Sequence, residues 1–170
     1  MTPLKLGCVR LLSVAFLIVS AASALAAPFS VTLSAHDPAL TCGSKVTPTL
    51  TFSAPPPGTK ALAIIFWDEQ PHTLTGRWTV YDLPLDTKAL EPVLAGSSRI
   101  LGAPVAVNEA GHLGYTAPCA AGKHDIYIDF YALNVASLGL AAGVPLQTVH
   151  AAIKRHKILE AKAHVVWNVK

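Results

Sequence analysis

The most regular pattern in the sequence is the alternation of apolar and polar side chains along its final segment. Every second side chain is apolar, at Leu159, Ala161, Ala163, Val165, Trp167 and Val169. The intervening positions carry Glu160, Lys162, His164 and Asn168, with Val166 as the exception. A period of two is typical of a β-strand that buries one face and exposes the other. A second layer must cover the apolar face, so the pattern predicts a layered β-structure.

Earlier stretches of the chain carry further strand patterns. Residues 61–67 are almost entirely apolar, which indicates a short strand buried on both faces. Residues 29–34, 46–52, 77–83 and 126–131 alternate in the same way as the final segment. Together these segments predict a mainly β domain of the sandwich type.

Two helical segments and one long loop are predicted between the strands. Pro145 begins a helix whose apolar positions recur three and four residues apart, at Leu146, Val149 and Ile153. Asp86 and Thr87 are predicted to cap a single helical turn that runs through Leu90. Residues 97–115 are rich in glycine, proline and asparagine without a sustained period, so we expect a long surface loop there.

The N-terminal segment predicts a secretory signal peptide. Lys5 and Arg10 precede an apolar run at residues 11–20, and small residues follow it up to the expected cleavage point. This order fits a leader of residues 1–26, followed by a single domain at residues 27–170. An uncleaved anchor is the alternative, since leader cores and short anchors overlap in length. The leader predicts a periplasmic or secreted protein that keeps no stable membrane span after cleavage.

The charge balance argues against a nucleic-acid partner. The chain holds 13 Lys and Arg against 10 Asp and Glu, and cleavage would remove Lys5 and Arg10. The mature chain would then carry 11 basic against 10 acidic residues, a charge close to +1. A nucleic-acid surface needs a basic stripe with interleaved aromatic residues. The basic cluster at Lys154, Arg155 and Lys157 is better explained as the solvated end of the predicted helix.

Two cysteines, Cys42 and Cys119, follow the predicted leader. An even pair of thiols in an oxidising compartment predicts a disulfide bond. Two separately buried thiols are the alternative. Neither cysteine has a Cys-x-x-Cys partner or a nearby histidine at metal-ligand spacing, so no zinc site is predicted.

Several short motifs, taken in order along the chain, resemble one known family. They are the segment from Cys42 to Pro48, the turn Pro57-Gly58-Thr59-Lys60, an apolar strand that runs into Asp68, Arg77-Trp78, Gly114-Tyr115-Thr116-Ala117-Pro118-Cys119, Gly122-Lys123-His124 and Phe130-Tyr131-Ala132-Leu133. Their order resembles the bacterial, Raf kinase inhibitor-like branch of the phosphatidylethanolamine-binding protein (PEBP) family. The resemblance implies a Greek-key β-sandwich with a few short helices, one of them near the C-terminus.

The resemblance also implies one small pocket that binds phosphate, phosphonate or carboxylate groups. The residues at matching positions are Asp68, Arg77, Trp78, Gly114, Tyr115, Pro118 and His124. The match is imperfect, because the family's Asp-Pro-Asp, His-Trp and His-Arg-Tyr motifs are here Asp68-Glu69-Gln70, Arg77-Trp78 and His124-Asp125-Ile126. We therefore expect a degenerate anion site in which Arg77 replaces a histidine.

Arginine suits such a site because its planar guanidinium can donate two hydrogen bonds to a phosphate or carboxylate. His124 would then be the member that titrates. Backbone N–H groups near Gly114 would add donors, and the aromatic and proline side chains would form the walls. The alternative is that Asp68 and Arg77 pair with each other and fill the pocket with their own side chains.

Three functions are compatible with these features. The first is an exported binding module for a small anionic ligand such as a phospholipid head group. The second is an extracytoplasmic protein-interaction or inhibitor protein whose pocket is closed. The third is a hydrolase, but no nucleophile, metalloprotease or phosphate-loop motif occurs, so we do not expect an enzyme. No cofactor is expected, and a metal site formed by His72, His112, His124 and Asp68 would be incidental.

Overall fold

The computed structural model describes residues 28–170, and its regular structure is dominated by antiparallel strands. The strands are β1 (Val31–Leu33), β2 (Leu50–Phe52), β3 (Ala61–Gln70), β4 (Thr73–Leu83), β5 (Ala89–Leu90), β6 (Arg99–Ile100), β7 (Ala103–Pro104), β8 (Gly122–Leu133) and β9 (Lys157–Val169). A 3-10 turn spans Pro38–Leu40, and the helix α1 spans Leu146–His156. The predicted leader, residues 1–26, lies outside the described residues, and its cleavage and the single-domain boundary stay predictions.

Two sheets face each other across the main core. The larger sheet has the order β4-β3-β8-β9, the smaller one has the order β1-β2-β5, and β6 pairs with β7. Side chains from both sheets form one buried cluster, which includes Leu50, Leu62, Phe66, Trp78 and Phe130. The predicted fold class, a mainly β sandwich of the PEBP type with a helix near the C-terminus, is confirmed.

The strand β3 lies at the centre of the larger sheet and is buried on both faces, as its apolar sequence predicts. Leu62, Ile64 and Phe66 point into the core between the sheets. Ala63 and Ile65 belong to a second cluster on the opposite face of the sheet. Because both faces are covered, an unbroken apolar run is compatible with the strand position.

The helix α1 covers the second face of the larger sheet. It begins directly after Pro145, where the sequence predicts it, and its buried side chains are Leu146, Val149 and Ile153. Lys154 and Arg155 lie in its last turn, where positive charge is favourable next to the C-terminal end of the helix dipole. Within residues 28–170, no helix is long and apolar enough to cross a membrane.

Two local predictions are wrong. The helical turn predicted through Leu90 is instead a tight turn followed by β5, in which Leu90 pairs with Leu50 of β2 and is buried. Burial of Leu90 in the small sheet outweighs the weak capping signal. The segment 97–115 is also more than a surface loop, because Val105 and Tyr115 are buried in the core.

Candidate functional site

A β-bulge directs the side chain of Arg77. Phe66 of β3 pairs with Trp78 of β4, whereas the next residue, Trp67, pairs with Gly76. Arg77 is therefore the extra residue of β4, and such bulges turn a side chain away from the regular ladder. The backbone carbonyl of Arg77 is released from that ladder and accepts a hydrogen bond from Thr116 N at 3.1 Å.

Arg77 meets two other predicted site residues, Asp68 near the end of β3 and His124 near the start of β8. One carboxylate oxygen of Asp68, Oδ2, accepts from Arg77 Nε at 3.0 Å and from Arg77 Nη2 at 2.8 Å. The other oxygen, Oδ1, lies 2.6 Å from His124 Nδ1. Asp68 is 1% exposed and His124 is fully buried, while the Arg77 side chain is 17% exposed. We call these three residues the Asp–Arg–His cluster.

The hydrogen bonds of the Asp–Arg–His cluster fix its formal charge. His124 Nε2 lies 2.8 Å from the carbonyl oxygen of Ala120, so Nε2 must carry a proton. The short contact between His124 Nδ1 and Asp68 Oδ1 also needs one proton, whichever of the two atoms carries it. Arg77 is always protonated. Either placement of the shared proton leaves one excess positive charge on the cluster.

Tyr115 and Trp78 form an aromatic wall beside Phe66. The Tyr115 ring packs edge-on against Phe66 at 5.5 Å and against Trp78 at 6.0 Å between ring centroids. Its hydroxyl donates to the carbonyl oxygen of Ala39 at 2.8 Å. Burial, followed by the negative charge of Asp37, raises the pKa of the Tyr115 hydroxyl, which stays neutral. The Trp78 indole is fully buried, and its N–H has no acceptor within residues 28–170.

Gly114 and Pro118 lie in the segment that carries Tyr115, and both are buried. Gly114 N donates to the carbonyl oxygen of Ala106 at 3.1 Å, and Tyr115 N donates to that of Ala95 at 2.8 Å. The backbone donors that the sequence places near Gly114 are therefore used within the protein. Gly114 itself adopts the left-handed conformation, with φ of +85°.

Replacing Gly114 by alanine is expected to lower the free energy of unfolding by about 3 kcal/mol. The new Cβ would lie 2.0 Å from the backbone oxygen of Ala95, and the positive φ adds strain. Urea unfolding of the purified protein would measure the loss. Gly111→Ala is the matched control, because Gly111 has a φ of +79° with no atom near its Cβ position. Equal midpoints for the two variants would contradict the proposed close contact.

Asn108, which is not among the predicted site residues, holds the site segments together. Its buried side-chain amide Nδ2 contacts the carbonyl oxygens of Arg77 and Gly114 and the hydroxyl of Thr116, at 3.0–3.2 Å. Its Oδ1 accepts from the backbone N–H groups of Ala110 and His112. The order Asn-Glu-Ala-Gly at residues 108–111 is a turn signal that pointed to this local role. The link to Arg77 had no sequence signal.

The predicted disulfide bond between Cys42 and Cys119 is present, with a Cα–Cα distance of 4.7 Å. It joins the segment after the 3-10 turn to the segment that follows Pro118. His72 and His112 are both exposed, and no three His, Cys, Asp or Glu side chains converge in the described part of the chain. The incidental metal site is therefore not supported by the described residues.

Comparison with known sequences identifies relatives over most of the chain. A sequence profile described as "Phosphatidylethanolamine-binding protein" matches residues 23–168. A UPF0098 protein of Aquifex aeolicus is 30% identical over 131 residues, or 74% of this chain and 75% of the relative. A UPF0098 protein of Methanothermobacter thermautotrophicus is 32% identical over 126 residues, or 72% of this chain and 83% of the relative.

Solved structures share the fold. Escherichia coli YbcL, described as a new member of the mammalian PEBP family, has a TM-score of 0.72 at 22% identity, covering 85% of this chain and all of YbcL. CT736 of Chlamydia trachomatis, described as a putative PEBP homologue, has a TM-score of 0.70 at 28% identity, covering 84% of this chain and 98% of its own. The extent of these matches shows that the chain belongs to the phosphatidylethanolamine-binding protein family.

Proposed function

We propose that this protein is an exported, PEBP-like binding module that accepts a small anionic group at Arg77. The group is a phosphate, a phospholipid head group or a carboxylate. The observation that carries this proposal is the hydrogen-bond pattern of the Asp–Arg–His cluster, which implies one excess positive charge and leaves Arg77 as its one partly exposed member. An anion at that point would neutralise a charge that is otherwise only partly solvated.

Arg77 has hydrogen-bond donors left for a ligand. A guanidinium carries five N–H groups, and Asp68 takes two of them. The other three have no acceptor within residues 28–170. Asp68 holds the guanidinium in a fixed orientation, which lowers the entropic cost of binding an anion. His124 acts through Asp68, because both of its ring nitrogens are already engaged.

The other predicted site residues would shape the surroundings of the anion. Trp78 and Tyr115 form a rigid aromatic wall, and Gly114 and Pro118 belong to the segment packed beside it. The proposal needs no hydrogen bond from any of these four, and the unpaired indole N–H of Trp78 is fully buried. Their contribution is to hold the backbone around Arg77 in place, since Asn108 links the carbonyl oxygens of Arg77 and Gly114.

Two features support export. Residues 1–26 have the charge and hydropathy pattern of a secretory leader. The Cys42–Cys119 disulfide fits an oxidising compartment such as the periplasm or the extracellular medium. We therefore place the proposed function outside the cytoplasm.

A second candidate function is an extracytoplasmic protein-interaction or inhibitor role. The observation that favours it is the Asp68–Arg77 ion pair, which partly fills the site with the protein's own side chains. A hydrolase is disfavoured on geometric grounds. His124 cannot act as a general base while Nε2 donates to Ala120 and Nδ1 faces Asp68.

Arg77→Met is expected to weaken the binding of phosphate, phosphoethanolamine or acetate by at least about tenfold, since charge-assisted hydrogen bonds contribute about 1.5–3 kcal/mol each. Isothermal titration calorimetry on the chain that starts at Ala27 would measure the affinities. Arg155→Met is the matched control, because Arg155 lies exposed in the last turn of α1.

Circular dichroism would establish that both variants stay folded. No binding heat with any of the three ligands would contradict the anion site and leave the protein-interaction role as the better proposal. An affinity for phosphate and phosphoethanolamine that is unchanged in Arg77→Met would also contradict the role of Arg77.

A further inference from the structure

Three loops of the structure form a pocket that is distinct from the Asp–Arg–His cluster. Its volume is about 410 Å³, it is open to solvent, and it is lined by three loop segments and one half of the disulfide. The segments contribute Gly43, Ser44 and Lys45, then Ala95 and Gly96, then His112, Leu113, Tyr115, Thr116 and Ala117, together with Cys119. Asp68, Arg77 and His124 do not line it. We call it the loop pocket.

The walls of the loop pocket are cross-linked. Ala95 N donates to the carbonyl oxygen of Lys45 at 2.9 Å, and Tyr115 N donates to that of Ala95 at 2.8 Å. The Cys42–Cys119 disulfide joins the first segment to the third. The three walls are therefore held at fixed distances, so the pocket does not depend on the closure of a free loop.

The charge on the lining of the loop pocket is of one sign. Lys45 and His112 are the basic side chains that line it, both are exposed, and no carboxylate lies among the lining residues. Lys45 forms no salt bridge within residues 28–170. The cationic rim that Lys45 forms, with His112 beside it as a further hydrogen-bonding group, attracts a negatively charged group and disfavours a cation.

An apolar surface adjoins the cationic rim. A neighbouring groove shares Lys45, Ala95 and Gly96 with the loop pocket and adds Leu94, whose side chain is 71% exposed. Leu94 forms a β-bridge with Val46, another exposed apolar residue. Because the Leu94 side chain is largely in water, contact with an apolar group of a ligand would be energetically favourable.

From this juxtaposition we infer that the loop pocket and its groove form a second binding site for an amphiphilic organic anion. Lys45 and His112 hold its carboxylate or phosphate, and its short aliphatic part lies along Leu94 and Val46. Each methylene that leaves water tightens binding about fourfold, so affinity is expected to rise with chain length. The loop pocket shares Tyr115 with the surroundings of the site proposed at Arg77 but none of its charged residues, so variants at Arg77 and at Lys45 distinguish the two sites.

Hexanoate and acetate are the ligands that test this inference, since both carry one carboxylate and differ in chain length. Titrations would be run in the Arg77→Met variant, which removes the first proposed site, and in the wild type. We expect hexanoate to bind at least about tenfold more tightly than acetate in both. NMR chemical-shift changes are expected at the backbone amides of Lys45, Gly96 and Thr116.

Two further variants measure how much the charge of Lys45 and the apolar side chain of Leu94 contribute to hexanoate binding. Lys45→Met is expected to weaken hexanoate binding about tenfold and Leu94→Ser about fivefold, both relative to the parent. Lys154→Met and Leu74→Ser are the controls, because both residues are exposed and lie outside this site. Equal affinity for hexanoate and acetate, or unchanged binding in Lys45→Met, would overturn the inference. So would shift changes confined to residues around Asp68 and His124. Loss of the proposed anion binding at Arg77 alone would not contradict binding in the loop pocket.

Discussion

Asp68→Asn is expected to lower the free energy of unfolding by about 3–5 kcal/mol, the range for removing one partner of a buried ion pair. Asp68 is 1% exposed and is the sole carboxylate in contact with Arg77 and His124 within residues 28–170. Its removal leaves a guanidinium with little solvent and a buried imidazole whose Nδ1 has lost its carboxyl partner. Urea unfolding at neutral pH, followed by tryptophan fluorescence, would measure the change.

Glu69→Gln is the control for this prediction, because Glu69 is the next residue in β3 and is exposed. We expect it to change the unfolding midpoint little, as for most surface substitutions. The double variant Asp68→Asn, Arg77→Met should lose less stability than the two single changes summed, since Arg77→Met removes the positive charge that Asp68→Asn leaves unpaired. A loss below about 1 kcal/mol for Asp68→Asn alone would show that the cluster is not a buried charge pair.

The layered fold was predictable because the pattern of burial is repeated many times along the chain. Residues 61–67 have the composition of a strand buried on both faces, and β3 is covered by the small sheet on one side and by α1 on the other. The final alternation also matches β9, where Ala161, Ala163 and Trp167 pack against the core. Each such pattern averages over several side chains, so single exceptions do not change it.

Short elements could not be predicted in the same way. The two-residue strand β5 depends on Leu90 meeting Leu50 across the small sheet, a contact between positions far apart in sequence. The local signals at Asp86 and Thr87 favoured a helical turn, but they are weak compared with the burial of one leucine. Elements of two or three residues are determined by tertiary contacts.

The candidate site was also only partly predictable from the sequence. The family resemblance named Asp68, Arg77 and His124, and the structure joins them directly. It did not reveal the bulge at Arg77, because a bulge depends on strand register and leaves no mark in composition. Nor did it reveal that Ala120 supplies the acceptor for His124 Nε2, since any residue can offer a backbone carbonyl.

Loss of the disulfide in the double variant Cys42→Ser, Cys119→Ser is expected to lower the free energy of unfolding by about 4.5 kcal/mol, from the chain-entropy cost of a loop of 77 residues. The bond also fixes the segment that carries Ala120, the acceptor for His124. Urea unfolding of the oxidised wild type and the variant would measure the difference. Wild type in excess reductant should approach the variant, and the variant itself should not respond to reductant. Coincident unfolding curves for variant and oxidised wild type would contradict a stabilising bridge.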